Sequence, residues 1–158
     1  MNIDSWGQMS VGEIFNQEFR DPFNKDSGRY SGVPATIASE EITLFDQEGR
    51  PVAYIDFTKE PVIYLWNGQA VAYLWNQHVY GFNGKHLGWF EGEVVINHQG
   101  EKIGFTKPSC PGMTKAEPAK MDKLIQKIKS IKEMAPLRPV NRLSIARENF
   151  VSFLNSGR

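Results

Sequence analysis

A sequence pattern that recurs four times occupies the middle of this chain of 158 residues. The two central copies, residues 62–74 and 78–90, are offset by sixteen positions, and residues 94–105 follow at the same spacing. An earlier copy ends at residues 49–55. Repeated units of this kind stack on one another, so the repeat constrains the fold before any single element is assigned. Each copy has one glycine at the equivalent point: Gly49, Gly68, Gly84 and Gly100.

Each copy has the pattern of a β-hairpin. The Asn-Gly pairs at residues 67–68 and 83–84 predict type I′ turns, in which both central residues have positive φ. The flanking residues are rich in valine, isoleucine, tyrosine and tryptophan, which suit a pleated sheet. With two-residue turns Tyr64 would pair with Val71. One face would then carry the large residues Tyr54, Tyr64, Val71, Tyr73, Tyr80, Leu87, Trp89, Ile96, Ile103 and Phe105.

The opposite face of the predicted sheet carries a small residue at the same place in every copy. Such a position is where a backbone or a large ring approaches closely. Because isolated hairpins are marginal in water, four of them must bury their aromatic rings against one another. We therefore predict a mainly β fold with α-helical flanks, in which four hairpins form a closed or nearly closed, pseudo-four-fold assembly. The small residues are Ala53, Ala72, Gly88 and Gly104.

The central copies resemble the bacterial four-fold β-flower proteins. The similarity is carried by Tyr-Leu-Trp-Asn-Gly at residues 64–68, by Val-Ala-Tyr-Leu at 71–74 and by the whole of 79–90. It covers residues 42–106 and is most specific in the two middle hairpins. The resemblance implies the fold, and it implies no activity, cofactor or catalytic residue. The outer copies differ at the turn, with Gln-Glu-Gly at residues 47–49 and His-Gln-Gly at 98–100.

Three segments divide the chain. Residues 1–40 are predicted to form an N-terminal segment with a short helix and a loop, since Ser-Val-Gly-Glu at residues 10–13 fits a capping box. Glycine and proline interrupt residues 21–39. Residues 41–107 hold the four-hairpin domain, and residues 108–158 form a linker and a basic helical tail.

Two helices are predicted in the tail. The first would run from about Glu117 to Met134, because apolar residues there follow near-helical spacing and Pro136 cannot continue a helix. Its apolar stripe would consist of Met121, Leu124, Ile125, Ile128 and Ile131. The second would begin at about Ser144 and place Ala146, Phe150, Phe153 and Leu154 on one face. We expect these faces to cover the β-core or to form a dimer seam.

Charge is distributed unevenly, although 18 basic residues balance 18 acidic ones. Residues 1–41 have a net charge of −4, residues 42–107 of −2, and residues 108–158 of +6. A basic tail of this size allows contact with nucleic acid or another polyanion. The alternative is that it docks on the acidic remainder of its own chain or is simply a solvated helix face. We favour this alternative because the lysines alternate with apolar residues.

No motif for catalysis, phosphate binding or metal binding is evident. His78, His86 and His98 occupy non-equivalent places in the repeat, so we expect them to lie apart and to hold no zinc. Cys110 is the single cysteine and has no evident base beside it. The sequence therefore predicts no catalytic residue, no metal site and no cofactor.

Aromatic and polar residues at the hairpin tips are the candidate ligand-binding set. Exposed rings beside amides suit stacking on sugars or bases. The alternative is that the rings pack against a neighbouring hairpin or the tail, while the asparagines only make turns. The candidates are Trp66, Asn67, Phe82, Asn83, Lys85, His86 and His98.

Two classes of function stay open. We favour a non-enzymatic binding or protein-interaction module, self-associating through the tail helices, because aromatic residues repeat while no acid, base or nucleophile does. The alternative is nucleic-acid or polyanion binding through the basic tail, and an enzyme ranks third. No apolar run is long enough to span a membrane, and residues 1–10 do not resemble a secretory signal. With one cysteine, these features predict a cytoplasmic protein without a membrane partner.

Overall fold

Eight antiparallel strands follow one another around a closed barrel in the computed structural model, which describes residues 41–158. Each strand pairs with the next along the chain, and β8 returns to β1 where Phe105 lies opposite Phe45. The predicted mainly β, closed four-hairpin assembly is confirmed, whereas the helix predicted near residue 10 lies outside the described residues. The strands are β1 (Glu41–Phe45), β2 (Pro51–Asp56), β3 (Val62–Leu65), β4 (Ala70–Trp75), β5 (His78–Gly81), β6 (His86–Glu91), β7 (Val94–Ile96) and β8 (Lys102–Phe105).

One turn geometry closes all four hairpins, and it differs from the predicted type I′ turn. The N–H of each turn glycine donates to the carbonyl three residues earlier, over 2.9 to 3.0 Å. The glycine has positive φ, from 80° to 88°, but Asn67 and Asn83 do not. This is a type I turn followed by a glycine bulge. The side chains of Asn67 and Asn83 accept hydrogen bonds from the N–H two residues on, which stabilises the turn.

Beside the turn the strand register differs by one residue from the prediction, whereas further from the tip Val79 lies opposite Gly88 as predicted. Tyr80 lies opposite His86 rather than Leu87. A shift of one residue moves a side chain to the other face of the sheet. Leu87, Val71 and Ile103 therefore lie in the interior cluster of the barrel, and the prediction that they share the aromatic face is wrong.

The small residues of the interior face make room for rings from a short helix, α1 (Phe150–Asn155). A Cβ on Gly104 would lie 2.3 Å from the Phe150 ring. A Cβ on Gly88 would lie 2.1 Å from the backbone carbonyl oxygen of Ile96 and 3.3 Å from the Phe153 ring. Both rings are buried in the same cluster as the barrel interior. The predicted close approach of a backbone or a large ring is confirmed at Gly88 and Gly104. A helix in the last part of the tail is confirmed too, although it begins at Phe150 rather than at about Ser144.

The helix predicted from Glu117 to Met134 is wrong. Residues 113–143, which we call the strap, contain neither helix nor strand and run along the four hairpin tips. Backbone N–H groups spaced nine residues apart donate to the carbonyls of the four turn glycines over 2.8 to 2.9 Å. The pairs are Lys115 with Gly49, Leu124 with Gly68, Glu133 with Gly84, and Arg142 with Gly100. The strap therefore follows the four-fold repeat of the barrel.

Within each nine-residue unit, the strap has a period of three residues, the period of a polyproline II helix. The backbone N–H groups that bind the hairpin tips all come from one of the three positions, the one that includes Lys115 and Leu124. Another places long polar side chains over the rings of the outer barrel surface, such as Lys129, whose Nζ lies 4.4 Å from the Tyr73 ring centre. The corresponding distances are 4.9 Å for Lys120 over Tyr54, 4.9 Å for Lys132 over Trp75 and 5.1 Å for Arg138 over Trp89. The remaining position faces away from the barrel.

Candidate functional site

The two aromatic tip residues of the candidate ligand-binding set lie against the strap. The Trp66 ring packs 5.3 Å from the Tyr54 ring, and its carbonyl accepts a hydrogen bond from the N–H of Met121. Phe82 is buried, and its carbonyl accepts from the N–H of Ser130, nine residues further along the strap. The two tips therefore make equivalent contacts with the tail, as one of the two sequence interpretations anticipated.

The polar candidates at the tips are exposed. Asn83 donates from its side-chain amide to the carbonyl of Ser156, just after α1, and accepts from the N–H of Lys85. Asn67 makes the equivalent turn bond to Gln69. Five of the candidates thus lie along the strap: Trp66, Asn67, Phe82, Asn83 and Lys85. His86 and His98 instead contact each other directly on the barrel wall.

Cationic side chains of the strap form ion pairs with acidic groups of the barrel. The hydrogen bond from Lys129 lowers the pKa of Glu60. Burial opposes the ionisation of Asp56, but hydrogen bonds from Lys123 and Thr58 outweigh it and lower the pKa of that carboxyl. Four of the ten basic side chains in residues 108–158 are therefore paired with carboxylates of the barrel. The pairs are Lys120 with Glu41, Lys123 with Asp56, Lys129 with Glu60, and Arg138 with Glu91.

Seven strap residues, spaced three apart, direct apolar side chains away from the barrel. Their exposed fractions run from 86% to 99%. At about 100 Å² for each aliphatic side chain, the row presents about 700 Å² of apolar surface. A row of exposed apolar side chains repeated along one side of the strap favours an interaction surface. This apolar row consists of Ile125, Ile128, Ile131, Met134, Leu137, Val140 and Leu143.

The three histidines form a hydrogen-bonded chain, and the expectation that they lie apart is wrong. The Nε2 atom of His86 lies 2.9 Å from Nδ1 of His78, and Nδ1 of His86 lies 2.9 Å from Nε2 of His98. The glycine bulge brings them together, because it places His86 opposite Tyr80 on the face that also carries His78. We call these three residues the histidine chain.

An open pocket of about 450 Å³ lies at one end of the histidine chain, beside His78. Arg138 of the strap reaches across it and donates to the Glu91 carboxylate and to the side-chain carbonyl of Asn141. The guanidinium group also packs 5.1 Å from the ring centre of Trp89, in the pocket lining. The pocket therefore combines an aromatic ring, a neutralised ion pair and an imidazole.

A comparison with protein families identifies the fold. The family model described as "4-fold beta flower protein" matches residues 42–154, which include the barrel, the strap and most of α1. This chain belongs to the four-fold β-flower family. The resemblance seen in the repeat thus extends to the tail of the β-flower. Searches of curated proteins and of solved structures returned no match.

The buried member of the β-flower histidine chain is His86, which is 2% exposed. His98 is exposed and His78 is half-buried. The Trp89 and Tyr80 rings pack 4.7 and 5.1 Å from the His86 ring, and the backbone N–H of His86 donates to the Glu133 carboxylate. Burial, together with His98 and His78, lowers the pKa of His86 to about 4. A neutral imidazole has one donor and one acceptor, which matches its two ring partners.

Residues 41–158 of the β-flower contain no group of three or more His, Cys, Asp or Glu side chains that could hold a metal ion. The geometry of the histidine chain explains this, because both ring nitrogens of His86 face another imidazole rather than a common centre. In the same described part, no helix has the length and apolarity needed to cross a bilayer.

Sequence reasoning missed two features of this β-flower. Four of the seven residues of the apolar row lay inside a predicted helix, which hid the spacing of three residues that runs from Ile125 to Leu143. The pocket combines Arg138 with His78 and Trp89 across more than forty residues of sequence. That juxtaposition depends on the path of the strap, for which the sequence carries no local signal.

Proposed function

We propose that this β-flower protein is a non-enzymatic binding module that contacts a protein partner through the apolar row. The exposure of seven aliphatic side chains carries the proposal. Removing one such side chain from water is worth about 1.5–3 kcal/mol, so covering the row favours association. A partner can cover the apolar row without disturbing the barrel, because the strap contacts the barrel through the other two positions of its three-residue period.

The partner we propose is a second copy of this chain. The row's area of about 700 Å² is close to the roughly 800 Å² that each partner contributes to a standard interface. A formal net charge of zero also leaves no overall repulsion between two copies. Self-association would therefore use the strap rather than the tail helices.

A polyanion partner has weaker support, because Lys123, Lys129 and Arg138 are engaged by carboxylates of the same chain. Nucleic acid would have to compete with these ion pairs. Ligand binding at the hairpin tips stays a prediction, which titration with sugars and nucleotides would test. A cytoplasmic location belongs to the same proposal, on the sequence grounds of a single cysteine, and cell fractionation would test it.

Removing three side chains from the row should abolish self-association. The variant carries Ile125→Ser, Ile128→Ser and Ile131→Ser, positions that are 93–99% exposed. We expect the dissociation constant of the dimer to rise at least 100-fold, about 2.8 kcal/mol, because three aliphatic contacts are lost. Light scattering on a size-exclusion column over a range of concentrations measures this change. The melting temperature should stay unchanged, since these side chains make few contacts within the chain.

Lys127→Ser is the matched control, because Lys127 is also an exposed strap residue but lies outside the row. This variant should self-associate as the unmodified protein does. An unmodified protein that remains monomeric at every concentration would contradict the proposal. Equal association of the unmodified protein and the triple variant would contradict it too.

A further inference from the structure

The histidine chain connects solvent to the pocket. His98 is exposed, His86 is buried, and His78 lies in the pocket lining. Because a neutral imidazole donates from one nitrogen and accepts at the other, the two hydrogen bonds of a neutral chain point in one direction. The chain can therefore run with donors pointing toward the pocket or away from it.

Adding one proton to this chain can place a positive charge in the pocket. A proton bound at Nδ1 of His98 allows that ring to pass its Nε2 proton to Nδ1 of His86. His86 in turn passes its own Nε2 proton to Nδ1 of His78. His78 is then protonated on both nitrogens, while His86 and His98 are neutral again. The buried ring thus never has to keep the charge, which fits its enclosure by Trp89 and Tyr80.

The other pocket groups favour an anionic ligand once that proton is present. Glu91 and Arg138 form an ion pair, so their charges cancel. The side-chain carbonyl of Asn141 accepts from Arg138, which leaves the amide N–H groups of Asn141 as donors. Gln77 adds a second amide to the lining. The donors that a carboxylate can accept from are therefore the amide N–H groups of Asn141 and Gln77 and the protonated His78 ring.

We propose that this pocket binds a small carboxylate, which is taken up together with one proton held by the histidine chain. The carboxylate accepts from the Nε2–H of His78, and its apolar body contacts Trp89 and Pro139 in the lining. This inference does not depend on self-association through the apolar row.

The charged and titratable groups around the histidine chain come from several elements. The strap contributes Glu133, whose carboxylate accepts from the backbone N–H of His86, and Lys132, which lies over Trp75. Trp75 in turn packs 6.2 Å from the His78 ring. From β5, the Tyr80 hydroxyl donates to the Glu133 carbonyl. The Glu91–Arg138 pair completes the set on the pocket side. Of these groups, the negative charge of Glu133 favours a proton on the chain.

Calorimetry with benzoate tests the proposal, and benzamide is the neutral control of the same shape. Because binding takes up one proton, benzoate should bind at least tenfold more tightly at about pH 5.5 than at about pH 7.5. Benzamide should show no such dependence. Repeating the titration in buffers of different ionisation enthalpy should reveal the uptake of about one proton per benzoate.

His78→Asn should remove the pH dependence of benzoate binding, whereas Lys127→Gln on the exposed strap should leave it intact. Nitrogen NMR of the unmodified protein labelled at histidine gives a reading that needs no variant. Added benzoate should shift the ring nitrogens of His78 toward the doubly protonated form. Equal binding of benzoate and benzamide, pH-independent binding, no heat from benzoate at either pH, or unmoved His78 resonances would each overturn the proposal.

Discussion

Replacing Gly84 with alanine should destabilise this protein by about 2–5 kcal/mol, whereas Gly92→Ala should cost only about 1–2 kcal/mol. Both glycines have positive φ, +88° at Gly84 and +59° at Gly92, so alanine is strained at either position. A Cβ at Gly84 would also lie 2.2 Å from the backbone carbonyl oxygen of Ile131 in the strap. Nothing lies within 4 Å of a Cβ at Gly92. Urea unfolding of the two variants measures the difference.

The difference between these two variants isolates the contact between strap and barrel. Relieving the overlap at Gly84 requires the strap to move, because the neighbouring atom belongs to backbone and cannot rotate away. Limited trypsin digestion should therefore cut Gly84→Ala faster than Gly92→Ala at the strap lysines, such as Lys127 and Lys129. Equal free energies of unfolding and equal digestion rates would show that the strap does not bind the tip as described.

The barrel could be predicted from the sequence because its repeat is explicit. Four hairpin patterns that each need to bury large rings have few arrangements besides a closed one. The small residues at Gly88 and Gly104 also indicated close approach by a backbone or a large ring, and the Ile96 carbonyl and the Phe150 and Phe153 rings lie there. What the repeat could not supply was the identity of those rings, since α1 lies outside it.

The turn type, unlike the barrel, could not be predicted from the sequence, and the wrong turn type led to a wrong pairing of residues beside the turn. An Asn-Gly pair fits a type I′ turn and also a type I turn with a glycine bulge. The two differ by one residue of register, which decides whether His86 or Leu87 lies opposite Tyr80. The histidine chain of this candidate site therefore depends on a choice that local propensity leaves open.

The strap was mispredicted because a short part of it satisfies helical spacing. Met121, Leu124, Ile125 and Ile128 fit one face of a helix, but the spacing of three continues as far as Leu143. In an α-helix each step of three residues turns about 60° short of a full turn, so the row would wind around the helix. The decisive interactions are hydrogen bonds to the four hairpin tips, which are tertiary and leave no local trace.

Acidification should destabilise the folded protein by up to about 3 kcal/mol through His86 alone. The folded-state pKa of His86 is about 4, below its ordinary value of 6.5. Between these values the unfolded chain binds the proton more readily than the folded chain does. The stabilisation is therefore complete above pH 6.5 and is lost as the pH falls toward about 4. Free energies of unfolding in urea, measured from neutral pH to about pH 4.5, follow this loss.

His86→Gln should flatten that pH dependence, because glutamine keeps hydrogen-bonding groups at the position but does not titrate. The variant should lose stability at neutral pH through imperfect packing against Trp89, so the slope with pH is the informative quantity rather than the absolute value. Asp56 also has a lowered pKa, but its ordinary value of 3.8 places its contribution below this window. Glu60, with an ordinary value of 4.5, contributes at the acid end of the window, and its contribution is the same in the unmodified protein and in His86→Gln. An unmodified protein whose stability does not change between neutral pH and pH 4.5 would show that the buried ring of the histidine chain accepts a proton without cost.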